Sequence, residues 1–343
     1  MHKHEMELPH FVVIGHDLAQ TIIEHLKLHG FKAPLMITSN TPYRVFGSKI
    51  EALMESGIKL STIDVEEVYG DLEKLTKMGG FDVILGVGGG RVMDISKVVA
   101  EKTGRPFISI PTVASHDGIA SPMTSYRQNG KAYSRKSVMP LEIYADIDVI
   151  SRSPRRYLMS GCGDLVAKHS AVRDWWLAHR ETGEYYGRYA AHLAYLSGSV
   201  IVRSAKEIRN NSIEGVRTVV EALISAGVAM GVAGSSRPCS GGEHLIAHAL
   251  ETLMDKPALH GERCGVATIF TLRLHGARWE KVKESLKTIG APNTLKDINV
   301  DEELFTEAVK LAPNLRRERY TILHKKQLGK ADIEKIIHET GLI

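Results

Sequence analysis

The segment Ser240-Gly241-Gly242-Glu243-His244-Leu245-Ile246-Ala247-His248, followed by His260-Gly261-Glu262, gathers three imidazoles in a short span. His244 and His248 stand four residues apart, so a helix would present both on one face. Upstream, Asp164 lies in Gly163-Asp164-Leu165-Val166-Ala167-Lys168. One carboxylate with two imidazoles makes a three-ligand zinc site with an open fourth position, the catalytic rather than the structural arrangement. A lone histidine on an apolar helix is ordinarily a hydrogen-bonded core residue; the grouping with a glycine-flanked acid is what points to metal. A zincin is excluded, because its HExxH motif needs the glutamate after the first histidine, and here Leu245 follows His244.

A second chemical signal is Gly86-Val87-Gly88-Gly89-Gly90-Arg91-Val92-Met93-Asp94. It follows an apolar strand pattern and precedes a helical one. Glycines let the backbone approach a pyrophosphate, and a helix start supplies free N–H groups and a positive dipole end. Arg91 stands where the Rossmann fingerprint needs its third glycine, and the Gly-Lys-Ser/Thr of a Walker loop is missing. Asp94 and Lys97, one turn on, strengthen the phosphate-binding reading. The next loop, Pro111 to Pro122, contains Thr112, Ser115, Asp117 and Ser121, and it too follows a strand pattern. Ligands of parallel α/β sheets gather at such strand ends.

These groups need a scaffold, and the apolar pattern supplies two textures. Strands are expected at Phe11–Ile14, Pro34–Thr38, Ile58–Val65, Phe81–Val87 and Pro106–Pro111. Helices are expected between them: from Asp17 to about His29, on to about Glu55, over Tyr69–Met78, and over Val92–Glu101. Strands alternating with helices predict a mostly parallel sheet covered on both faces. From Ser153-Pro154, a helix-start signal, only helical periodicity follows. Candidate helices run over Arg155–Ala178, Glu184–Arg209, Ser212–Met230, Glu243–Met254, Gly265–His275, Ala277–Thr288, Asp301–Leu311 and Lys330–Glu339. The expected fold is an α/β Rossmann-like nucleotide domain over residues 1–152 and an all-α metal-binding domain over 153–343, with the active site in the cleft between them.

Composition bounds the partners. With 343 residues and a net charge of +4, the chain is too weakly basic to argue for nucleic acid. Three cysteines without CxxC spacing exclude a disulfide framework and point to a reducing cytoplasm. Cys162 and Cys239 read as small buried residues. The polar start, Met1-His2-Lys3-His4-Glu5, predicts no secretory signal, and His2 and His4 read as a frayed terminus. The longest apolar stretch, Ala222–Ala233, is too short to span a bilayer, so no membrane insertion is expected.

Together these motifs resemble the dehydroquinate synthase/iron-containing alcohol dehydrogenase superfamily. The marks are Gly88 to Lys97, Pro111 to Asp117, Gly163-Asp164 with Lys168, and His244, His248 and His260, in matching order and spacing. Ser115 to Pro122, Arg237-Pro238 before Ser240, and Arg317-Glu318-Arg319-Tyr320-Thr321-Ile322-Leu323 resemble the archaeal branch that makes glycerophosphate. That resemblance implies one Zn²⁺ per subunit on Asp164, His244 and His260, with Asp164, His248 and Asp117 facing the substrate and His248 and Asp117 catalytic. It implies that Gly89, Gly90, Arg91, Val92, Met93, Asp94, Thr112, Val113, Ala114, Ser115 and Ser121 hold the dinucleotide. The implied reaction is reduction of dihydroxyacetone phosphate to sn-glycerol 1-phosphate with NADPH or NADH, for archaeal ether lipids, in a homo-oligomer.

The residues permit that chemistry. Hydride arriving at a ketone leaves charge on its oxygen, which an open metal position stabilises. His248 is a natural proton relay, since imidazole titrates near neutrality. Asp117 would orient a hydroxyl or the relay, or else serve only its turn. The second strand ends at Ser39-Asn40-Thr41 with Arg44 beyond and no carboxylate, so NADPH is expected to be accepted alongside NADH. Arg127, Lys131, Arg135 and Lys136 are candidates for the substrate phosphate, or equally a solvated face. A dehydroquinate synthase-type lyase, a glycerol or polyol dehydrogenase, and a silent metal- and nucleotide-binding protein are the competing readings; the intact ligand set argues against the last.

Overall fold

The computed structural model describes residues 4–54, 58–65, 79–128 and 131–343, with the side chains of 126–128 and 131–134 left aside. His2, Glu55 and the helix expected over Tyr69–Met78 lie outside the described residues. The chain divides into two compact units. One comprises the described residues up to Ala114 together with Gly118–Arg155; the other comprises Ser115–Asp117 and Arg156–Ile343.

The first unit is built on six parallel strands. They are β1 (Phe11–Gly15), β2 (Pro34–Thr38), β3 (Ser61–Asp64), β4 (Val83–Gly88), β5 (Phe107–Pro111) and β8 (Glu142–Asp146), in the order β1-β8-β5-β4-β2-β3. Between β5 and β8 comes an antiparallel hairpin, β6 (Met123–Gln128) and β7 (Lys131–Lys136). Side chains alternate across the sheet. Val83, Leu85 and Val87 of β4 pack with Met36 against Ile22, Ile23 and Leu26 of α1 (Ala19–Leu28). On the other face, Leu35, Ile37, Ile84 and Phe107 pack against Val92, Met93, Ile95 and Val99 of α2 (Gly90–Thr103). Burial on both faces makes β2, β4 and β5 continuous apolar runs.

β8 and the β6–β7 hairpin were not evident from the sequence pattern. β8 carries acids at both ends, and each is satisfied inside the unit. Glu142 contacts His29 Nε2 at 2.6 Å and accepts the Tyr144 hydroxyl at 2.6 Å. Asp146 accepts the Leu18 and Val149 N–H groups. Local polarity therefore hides a strand that tertiary pairing supports.

The second unit is helical, with no strand among its described residues. Its longer helices are α3 (Arg155–Val166), α4 (Lys168–Thr182), α5 (Arg188–Arg203), α6 (Ile213–Ala233), α7 (Gly242–Leu253), α8 (His260–Leu274), α9 (Trp279–Ile289), α10 (Glu302–Leu315) and α11 (Lys330–Thr340). The single helix expected over Arg155–Ala178 is two, meeting at Ala167. The helix expected from Gly265 starts at His260 instead. α6 is longer than the apolar stretch seen in the sequence: by length and composition it could cross a membrane, but most of it is buried against its own unit.

Candidate active site

In the helical unit the site begins with glycine. A Cβ on Gly163 of α3 would lie 2.2 Å from the Gly261 carbonyl oxygen, and one on Gly261 would lie 1.8 Å from that of Ser160. Only two residues without side chains allow α3 to meet the start of α8 this closely. That contact brings Asp164, one residue on from Gly163, beside His260, the first residue of α8. His244 arrives on α7. The start of α7 is fixed by buried Asp174, which accepts the N–H groups of Gly242 at 2.7 Å and Ile322 at 2.6 Å and contacts His275 Nε2 at 3.0 Å.

Ligand atoms of Asp164, His244, His260 and Cys264 all lie within 4.8 Å of one another. Asp164 Oδ1 is 3.4 Å from His244 Nε2 and 4.0 Å from His260 Nε2. It is buried, yet no hydrogen bond reaches it. A buried carboxylate oxygen without a hydrogen bond is costly unless a cation completes it. Lys168, fully buried, supplies part of the balancing charge, 3.0 Å from Asp164 Oδ1 and 2.7 Å from Asp117 Oδ2. The Asp117 N–H donates to Asp164 Oδ2 at 3.0 Å.

Burial pushes the Asp164 carboxyl upward, but Lys168 and then His244 and His260 outweigh it, holding it well below the usual carboxylate range. Burial pushes Lys168 down, but Asp117 and Asp164 keep it well above the ordinary lysine value. His260 falls well below the ordinary imidazole value through burial and then the charge of His244. His244 moves the other way: burial opposes its charge, but Cys264 and Asp164 raise it well above. An ionised acid with two imidazole nitrogens turned toward it is a donor set that fits a divalent cation, which would displace the proton His244 otherwise holds.

Glu243 completes the fit. Its buried carboxylate lies 2.8 Å from His244 Nδ1 and accepts the Gly241 N–H at 2.7 Å. An Nδ1–H donated to Glu243 leaves the Nε2 lone pair facing Asp164 and fixes the tautomer a metal ligand needs. The sequence reading used Glu243 only to exclude a zincin; its position immediately before a histidine at a helix start was the available signal. Cys264, one turn after His260, also escaped that reading. Its Sγ lies 3.5 Å from His260 Nε2, and burial pushes its thiol up.

His248 stands beside the four-donor group rather than in it. Its ring centroid is 6.5 Å from that of His244 and 5.7 Å from that of His260, and 20% of its side chain is exposed. Burial lowers its pKa against the opposing pull of Glu251, whose Oε2 is 3.8 Å from Nδ1. Asp117 is not a simple turn residue, since its carboxylate pairs with Lys168 and its N–H holds Asp164.

In the sheet unit the glycine loop lies where strand order reverses. From β2 the chain steps outward to β3, and from β4 it steps the other way through β5 to β8. That reversal is the usual binding crevice of an open parallel sheet. Gly89 is the extended residue before α2, and no side chain caps the helix. Its first-turn N–H groups, from Gly90 onward, can therefore serve a ligand oxygen. A Cβ on Gly88 would lie 2.6 Å from Val92 Cγ2, so glycine keeps the first turn tight. Thr112 N–H donates to Gly88 O at 3.0 Å, which sets Thr112, Val113 and Ala114 beside the loop. Ser121 is buried in the same unit, and Ser115 belongs to the helical one, where its carbonyl accepts from Ser160 Oγ.

Some expected phosphate groups are otherwise occupied. Lys97 is buried and donates to the Gly118 and Met123 carbonyls at 2.6 and 2.8 Å, so it braces the loop rather than reaching a phosphate. Arg135 pairs with Glu101 and Lys136 with Glu7. The side chains of Arg127 and Lys131 lie outside the described residues. All three cysteines are buried, and none forms a disulfide among the described residues.

A family model described as iron-containing alcohol dehydrogenase matches residues 13–154. Glycerol-1-phosphate dehydrogenase [NAD(P)+] of Thermococcus kodakarensis is 44% identical, over 99% of this chain and 99% of its own. The enzyme of that name from Methanosarcina acetivorans is 41% identical over 98% and 96%. Among solved structures, a glycerol dehydrogenase from Schizosaccharomyces pombe superposes with a TM-score of 0.78 at 21% identity, covering 98% of this chain and 92% of that one. An NADH-dependent butanol dehydrogenase from Thermotoga maritima gives 0.74 at 17%, covering 98% and 99%. The structural likenesses establish the fold, and the near-full-length identity to archaeal relatives establishes more: this chain belongs to the glycerol-1-phosphate dehydrogenase family.

Proposed function

We propose that the protein reduces dihydroxyacetone phosphate to sn-glycerol 1-phosphate with NADPH or NADH, the glycerophosphate-forming step of archaeal lipid synthesis. The carrying observation is the convergence of the ligand atoms of Asp164, His244 and His260 on one buried spot, in a chain of this family.

Asp164, His244 and His260 hold one Zn²⁺ in this reading. Cys264 is left out, because a fourth protein ligand would close the site. When bound, the metal polarises the ketone oxygen and the dinucleotide supplies hydride. The rest falls to the chain. Lys168 balances two carboxylates, so Asp164 stays ionised in a buried setting. Glu243 keeps His244 in one tautomer. His248, neutral near pH 7 and partly solvent-exposed, relays the proton that the product oxygen takes up. Asp117 accepts from a substrate hydroxyl with the lone pairs that Lys168 leaves. Gly89 to Asp94, Thr112 to Ser115 and Ser121 cradle the dinucleotide.

Three finer points belong to this proposal: zinc rather than iron as the resident metal, a cytoplasmic location, and assembly into a homo-oligomer. NADPH is accepted because β2 ends at Thr38 and the segment after it, Ser39, Asn40 and on to exposed Arg44, carries no carboxylate of its own. The test follows NAD(P)H oxidation with dihydroxyacetone phosphate, dihydroxyacetone and glyceraldehyde, with chiral analysis of the product and metal analysis of the purified protein. Turnover confined to the phosphorylated ketone, yielding the sn-1 enantiomer in zinc-loaded protein, supports the reading; preference for unphosphorylated polyols, or full activity without metal, refutes it.

A further inference from the structure

We propose that the helical unit carries a second ligand site, separate from the metal cluster, which takes a small phosphorylated organic anion. It is a cavity of about 490 Å³ whose walls include Arg173, Arg203, Arg278 and Lys281. That volume lies within the roughly 300–1,000 Å³ typical of small-molecule sites. No carboxylate lines it, and Arg203, Arg278 and Lys281 make no ion pair among the described residues. Arg203, Arg278 and Lys281 are solvent-exposed and Arg173 half-buried, so an anion entering from solvent can reach all four.

The geometry favours phosphate. Arg173 is pre-organised: its Nη1 donates to the His169 carbonyl at 2.6 Å, and its guanidinium lies 5.8 Å from the Tyr195 ring centroid. Guanidinium forks match phosphate oxygens in pairs, which a single ammonium cannot do. Arg278 directly precedes α9, whose start has no side-chain cap, and Lys281 lies in its first turn. The positive end of that helix adds to the same field. His169, 8% exposed, forms part of the wall, with its ring edge-on to Tyr195. Val202, Leu272 and Val282 add an apolar wall, beside the Tyr195 ring and the Ser199 hydroxyl. A bare inorganic ion would leave that surface unused, so the ligand carries a small apolar or ring-bearing group beside its phosphate.

None of these residues holds the metal or the dinucleotide in the proposal above. The cavity nonetheless shares α4 with the metal cluster, for Lys168 pairs with Asp117 and Asp164 while the next residue, His169, lines the cavity.

The probe is phenyl phosphate, titrated by calorimetry into zinc-loaded enzyme saturated with NADP+. One saturable event per chain is expected, with a Kd below about 1 mM. Arg278→Glu with Lys281→Glu should weaken it at least about tenfold, with kcat, KM and melting temperature unchanged, and Arg203→Glu should do the same by itself. Equal affinity in the wild type and the variants overturns the proposal. So does full displacement by sn-glycerol 1-phosphate, which would move binding to the catalytic centre. Loss of an oligomer in the double variant by sedimentation velocity would also overturn it, making the cavity an interface between copies. The binding and sedimentation outcomes are independent of whether the chain reduces dihydroxyacetone phosphate.

Discussion

The glycine loop after β4 and the histidine cluster of the helical unit solve binding in opposite ways. The loop offers backbone: a glycine-tightened first turn and N–H groups that no side chain caps. The cluster offers side chains from three helices, α3, α7 and α8, each oriented by a neighbour. Backbone sites tolerate most side-chain changes but not an added Cβ at the turn. Side-chain sites fail when a single donor is lost, and they fail in graded fashion when an orienting neighbour is lost.

Four substitutions put that contrast at risk, from the largest effect to the smallest. His244→Ala should remove the metal and lower kcat/KM by about 10³-fold or more, since several kcal/mol of charge stabilisation go with it. Dinucleotide affinity by fluorescence titration should survive, and its loss would tie the two sites together. Gly261→Ala forces a Cβ onto the Ser160 carbonyl and should cost about 1–3 kcal/mol of stability or more, read by denaturant unfolding. A neutral result would mean that α3 and α8 can separate without harm. Glu243→Gln should weaken metal affinity about 10–100-fold in a chelator competition while leaving the fold intact, because it disturbs only the His244 tautomer. Gly88→Ala should raise the Kd for NADPH and NADH about tenfold through displacement of Val92, with metal content unchanged. A drop in metal content in Gly88→Ala would break the proposed independence.

Legibility followed contiguity. The loop from Gly86 to Asp94 was readable because strand, glycines and helix follow one another; its helix begins at Gly90, two residues before the expected Val92. His244 and His248 were placed on one helix by spacing alone, and α7 contains both. Spacing alone does not separate their roles; in the folded chain His244 enters the four-donor group, with the more distant His260 and Cys264, and His248 stands beside it. Lys97 misled, because a lysine one turn into a phosphate-loop helix suggests a phosphate contact, and only the folded chain shows it buried beneath the Gly118 and Met123 carbonyls. β8 was hidden by Glu142 and Asp146, whose partners His29 and Leu18 flank the two ends of α1.

The order of apolar runs, glycines and histidines along the chain already determined a parallel sheet, an uncapped helix start after β4, and a metal-capable acid-and-imidazole set, because periodicity and residue chemistry are local properties. Which donors converge, which acids are balanced by Lys168, and which cations are left facing the empty space beside α9 were decided only by tertiary structure. Those outcomes depend on distances between segments scores of residues apart, such as the Gly163–Gly261 contact, and on the desolvation that burial imposes on every charge it encloses.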